Sequence, residues 1–90
     1  MIILKKFFIK KYVDKLTIQD IDNFAKCNNI YLDNEELNYM YNLIKTKWLN
    51  ILSNDETILI EIKNKFNFEK SSKIENLYFE YKNKYKKFFN

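Results

Sequence analysis

Residues 29–56, NIYLDNEELNYMYNLIKTKWLNILSNDE, decide the fold class. Leu37, Met40, Tyr41 and Ile44 recur at i, i+3, i+4 and i+7, the spacing of one helix face, and Leu43 and Trp48 widen that stripe. Asp33 with Glu36 three residues on is a capping arrangement, and Glu35 and Glu36 place negative charge where the helix dipole favours it. Before the cap, Ile30 and Leu32 stand two apart and point the same way in an extended link, so both can enter a core. Lys45 and Lys47 fall where a helix end favours cations, which closes the central helix near residue 46. After the apolar group Trp48, Leu49, Ile51 and Leu52, Ser53 and Glu56 form an S-x-x-E box, so the next helix is expected to begin at Asn54.

Upstream, Leu4, Phe7, Phe8, Ile9, Tyr12 and Val13 fit a helix better than strict alternation does, and predict a short, partly buried helix. Thr17 with Asp20 is a second capping pair, with Leu16 and Ile21 spaced as a hydrophobic staple. Ile18, Ile21, Phe24 and Ala25 mark one face of the helix it opens. Asn28 and Asn29 are its expected stop, because the chain has no Gly and its thirteen Asn are the best substitutes at positive φ. Downstream, Ile58, Ile60 and Ile62 alternate as a strand would, whereas Leu59, Ile62 and Phe66 suit a helix; the box at Ser53 favours the helix. Ser72 with Glu75 reads as the start of a last helix, whose seam is Ile74, Tyr78, Tyr81, Tyr85 and Phe88, with Leu77 beside it. The expected fold is all-α: one domain over residues 1–90, a bundle of five short helices at about 2–13, 18–28, 34–46, 54–66 and 72–88.

Composition narrows the function classes. Ninety residues bury only about 60% of the surface their unfolded chain exposes, so the core is expected to be thin and a partner contact useful. Hydrophobic residues at 47% exceed what a disordered chain carries. Gly, Pro and His are absent and all sixteen basic residues are Lys, the bias an A+T-rich genome produces. The single Cys27 excludes a disulfide framework within the chain and fits a reducing compartment. The apolar opening is broken by lysines with no cleavage site after it, and no stretch reaches the roughly 18 apolar residues of a membrane span. Cytoplasmic localisation is the expectation, with membrane contact disfavoured because the lysines of residues 2–13 are not confined to one helix face.

With no His, no cysteine pair, no Gly-rich phosphate loop and no nucleophile elbow, the chain offers neither a zinc site nor a catalytic triad. Its close carboxylates, Asp20 and Asp22, Asp33, Glu35 and Glu36, Asp55 and Glu56, all lie in first turns of helices, where capping accounts for them. No catalytic residue, metal ligand, cofactor or small-molecule substrate is expected, and the protein is not expected to be an enzyme. Charge is polarised instead. Residues 1–15 carry five Lys and one Asp, residues 16–62 three Lys and eight acids, and residues 63–90 eight Lys and three acids, or +4, −5 and +5.

Two binding readings follow. The leading one is a non-enzymatic interaction or adaptor module that binds a protein partner or itself, with Tyr39, Lys45, Lys47 and Trp48 as candidate contacts. Of the aromatics, Trp48 is expected to lean to the core and Tyr39 to the surface. The alternative is a nucleic-acid-associated protein using Lys5, Lys6, Lys10, Lys11, Lys82, Lys84, Lys86 and Lys87, interleaved with Phe7, Phe8, Tyr12, Tyr81 and Tyr85. Against it, the chain lacks the Arg that reads phosphate and guanine in a bidentate way.

The chain also resembles a family of short proteins from low-GC Gram-positive bacteria, the YqfT-like domain of unknown function. The resemblance is carried by Thr17, Asp20, Ile21, Phe24, Ala25 and Lys26, by Asn29, Ile30 and Leu32, by Lys47, Leu49, Asn50, Ile51 and Leu52, and by Asn54 and Glu56, over about residues 13–82. Where that family has Arg and Gly, this chain has Lys45 and Thr46, so a positive-φ stop for the central helix is missing. The resemblance implies a helical architecture and no activity.

Overall fold

The computed structural model describes residues 2–53 and 55–84, with side chains over 7–51, 53 and 55–83. It is all-α, as the periodicity requires: α1 (Ile2–Lys15), α2 (Ile18–Cys27), α3 (Asn34–Leu52), α4 (Glu56–Lys65) and α5 (Phe68–Lys84), with no strand among the described residues. The chain forms two compact units, residues 1–48 and 49–90.

In the first unit the local signals act as their chemistry dictates. Thr17 accepts a hydrogen bond from the Asp20 amide at 3.1 Å while the Asp20 carboxylate accepts one from the Thr17 amide at 3.0 Å, closing a reciprocal box at the start of α2. Asp33 and Glu36 do the same for α3, at 2.8 and 2.9 Å. Helix α2 ends in a Schellman motif: Asn29 takes φ 61°, its amide donates to Lys26 O, and the Ile30 amide donates to Ala25 O at 2.9 Å. Ile30 and Ala25 are both buried, supplying the apolar contact that usually accompanies this turn. With Val13, Ile21, Leu37 and Leu43 they make the core of the unit.

The expected close of the central helix near residue 46 falls at a kink that separates two helical stretches. Thr46 lacks the freedom to adopt a left-handed stop, and its hydroxyl donates back to Asn42 O at 2.6 Å, a bond that bends helices without ending them. Lys47 leaves helical geometry (φ −125°, ψ 23°), and the helix resumes to Leu52. The boundary between the two units falls just past this kink.

In the second unit α4 packs against α5. Ile58, Ile62 and Phe66, four apart, are buried while Ile60 is exposed, so the helical reading of this segment holds and the alternation is incidental. Both expected serine boxes are displaced. Ser53 is still in the last turn of α3, its hydroxyl donating to Leu49 O at 2.7 Å; α4 therefore begins at Glu56, not residue 54, with Asp55 as its cap, accepting from the Thr57 amide at 3.0 Å. The Asn50 side-chain amide holds the other carboxylate oxygen of Asp55 at 3.0 Å. Likewise α5 begins at Phe68 and not residue 72, because the Asn67 side chain accepts from the Lys70 amide at 2.8 Å and caps the helix one turn earlier. Phe66, extended at φ −106° and ψ 156°, and Asn67 are the two residues between the helices. Ile74, Leu77, Tyr78 and Tyr81 are half-buried along the expected seam; Tyr85, Phe88 and the expected end at residue 88 lie outside the described residues.

Candidate functional site

Helix α1 has two faces. At about 100° per residue, Ile9, Val13 and Leu16 share one side, and Val13 is buried with Ile9 and Leu16 half-buried. The opposite arc carries, in angular order, Phe7, Lys11, Lys15, Phe8 and Tyr12. Phe8 is 65% exposed, Tyr12 76% and Phe7 52%, an unusual display for residues of this size. Phe7 and Phe8 meet edge to face, centroids 5.9 Å apart, and the Lys11 ammonium lies 5.0 Å from the Phe7 ring centroid. Lys10 stands aside, paired with Asp14 at 3.0 Å in an exposed bridge that contributes little stability.

The signal for this outer strip was present in the sequence. Once Val13 is taken as the inward anchor with Ile9 and Leu16 beside it, the phenylalanines and Tyr12 can only face out. What the periodicity of α1 alone does not reveal is which of its two apolar sides meets the core.

Lys45 has a structural task. Its ammonium reaches back to the end of α1 and donates to Asp14 O at 2.8 Å and to Val13 O at 2.6 Å, the latter also accepting from the Leu16 amide at 3.1 Å. Its charge also sits 5.3 Å from the centre of the Tyr41 ring. Among the other expected contacts, Lys47 is exposed at the kink and Trp48 is half-buried. Tyr39 is half-buried with its hydroxyl oxygen out of solvent, so it is less of a surface residue than its position off the stripe suggested. Cys27 is exposed at the end of α2.

The expected lysine cluster is distributed over both units. Lys5, Lys6, Lys10 and Lys11 belong to α1; Lys82 and Lys84 belong to α5, and Lys86 and Lys87 lie outside the described residues. Lys82 is half-buried, its ammonium 5.9 and 6.0 Å from the Tyr78 and Phe79 ring centroids. These residues, with Leu59, Ile60, Glu56 and the Lys63–Glu75 ion pair at 3.5 Å, border a shallow cleft of about 290 Å³ between α4 and α5. On the same helix the Tyr78 hydroxyl donates to Ile51 O at 3.1 Å, and burial raises its pKa above 10.0.

Among the described residues no group of three or more His, Cys, Asp or Glu is arranged to hold a metal ion. No helix among them is long and apolar enough to cross a membrane. No family model matches the chain, and neither a curated protein nor a solved structure matches it.

Proposed function

We propose that the protein is a non-enzymatic binding module, and that its contact face is the outer strip of α1. The observation that carries this reading is the concentration of large aromatics there, Phe7, Phe8 and Tyr12, on a helix whose other side meets the core. Aromatic side chains on a helix bring contact area at low entropic cost and are the residues that anchor protein interfaces. Lysines set among them confine the contact to partners that carry negative charge. The carboxylates support the non-enzymatic part of the reading, since Asp20, Asp33 and Asp55 are each engaged in capping a helix. Cytoplasmic work belongs to the same proposal, as does kinship with the YqfT-like proteins, which rests on capping and packing residues and adds no activity.

Replacing Tyr12 with the photocrosslinker p-benzoylphenylalanine tests the contact face. A protein adduct, formed with the purified chain or in extract and reduced in a Phe8→Ser background, is the expected result. Irradiation that yields no adduct at any concentration would sink the reading.

A second reading is favoured by Lys82 near Tyr78 and Phe79, aromatic and cationic groups side by side as in single-strand nucleic-acid platforms. A mobility-shift series checks it, because phosphate contacts weaken steeply as salt rises. No shift of a single-stranded oligonucleotide at low salt would remove this alternative.

A further inference from the structure

The first unit carries two apolar patches of opposite charge. One is the strip on α1, Phe8 and Tyr12 with Lys11 and Lys15, within a segment of net charge +4 over residues 1–15. The other lies on α2 and the link after it. Phe24 is 46% exposed one turn beyond Asp20 on the same side of α2, and Tyr31 is exposed two residues before Asp33. Residues 16–44 hold Asp20, Asp22, Asp33, Glu35 and Glu36 against Lys26 alone, a net charge of −4. The two patches thus match in apolar character and lie in segments of opposite net charge.

From this we infer that the partner is a second copy of the chain, with α1 of each molecule lying on the Asp20–Phe24 strip of α2 of the other. The inference rests on the reading of α1 as a contact face and names what covers it. A pairing of α1 with α1 would set Lys11 and Lys15 against their own copies, and like charges brought together in an interface cost several kcal/mol. A reciprocal contact of α1 on α2 avoids that repulsion and is closed, because in a two-fold pair each patch is used once per molecule and no further chain can add. It also covers apolar surface that a chain of ninety residues cannot bury alone. Lysines at the edge of such a contact steer the encounter, and the aromatics hold it.

Nucleic acid is the less favoured occupant of the same strip. Stacking of bases needs open ring faces, whereas Phe7 and Phe8 meet edge to face and the Lys11 ammonium already lies over the Phe7 ring. An anionic lipid surface would draw on the lysines of α1 but leave the acidic, aromatic strip of α2 without a role.

Sedimentation equilibrium of the full chain tests the pairing. The expected mass at high micromolar concentration is twice the 11.1 kDa of one chain. Its dissociation constant should rise at least tenfold between about 0.01 and 1 M salt, over which the screening length falls from roughly 30 to 3 Å. Two variants with unchanged helical circular dichroism, Phe8→Ser/Tyr12→Ser on α1 and Phe24→Ser on α2, should each sediment as single chains. Mixed in equal amounts they should associate again, because the mixed pair keeps one of its two contacts intact while each variant with itself keeps neither. A wild-type chain that stays monomeric at several hundred micromolar overturns the pairing. So does a dimer that survives the α1 changes, or a mixture that gains nothing. A monomer that still forms the Tyr12-site adduct with another protein overturns the pairing alone and leaves α1 as a contact face. The pairing also fails if a monomeric chain binds anionic vesicles or a single-stranded oligonucleotide and loses that binding in the α1 variant.

Discussion

Asn29 shows how much a single residue can settle in a chain without glycine. Its φ of 61° is the position where α2 stops and the backbone turns to bring Ile30 into the core. Asn tolerates this region better than other residues with a side chain, and Gly better still. Asn29→Gly should therefore match or exceed wild-type stability in urea unfolding, while Asn29→Ala should lose about 1 kcal/mol. This stop was legible in the sequence because its chemistry is local. Tyr78 is the opposite case, a seam residue whose hydroxyl partner, Ile51 O, no spacing rule would find. Tyr78→Phe should cost about 1 kcal/mol at neutral pH by removing that hydrogen bond. Burial raises the phenol pKa, so the fold favours the neutral form; that contribution is complete below 10.0 and is lost as pH rises through the raised value. The stability gap between wild type and Tyr78→Phe should accordingly narrow in unfolding measurements above pH 10.0.

Among whole elements, the starts of α2 and α3 were readable, whereas those of α4 and α5 were displaced. Thr17 with Asp20 and Asp33 with Glu36 cap as written, because nothing nearby competes with them. The caps expected at Ser53 and Ser72 are not the ones used, and the one that is used depends on where the preceding helix lets go. Asp55 and Asn67 are used, since α3 runs through Ser53 in its last turn and α4 reaches Lys65. Asp55→Ala should therefore cost about 1 kcal/mol, the usual loss of a cap; Ser53→Ala, which keeps Asp55 in place, should cost only a few tenths in the same thermal unfolding assay. Lys45 shows why the rest was hidden: its partners, Val13 and Asp14, are 32 and 31 residues away, and no periodicity encodes that reach. Lys45→Met keeps the stem and removes two charge-assisted bonds, and should lower stability by about 1.5–3 kcal/mol in urea unfolding.

Across the whole molecule, composition made the ingredients of the contact face visible, lysine and aromatic interleaved in a basic N-terminal segment, but not their direction. Direction came from the core, where Val13 turns one side of α1 inward and leaves Phe8 and Tyr12 in solvent. If two chains pair through that strip, folding and association are linked by mass action. The midpoint of thermal unfolding should then rise with protein concentration, and the Phe8→Ser/Tyr12→Ser variant should lose that dependence. The grip of Lys45 on α1 carries a further meaning for the lifetime of the docked helix. Val13 is the buried side chain among those described on α1, so little apolar contact supports the two carbonyl bonds. A helix held this way opens at a free energy well below that of global unfolding. The segment that offers the aromatics to a partner is also one with little apolar contact to its own core. Seating of α1 on its own core and capture of α1 by another molecule are then one coupled equilibrium.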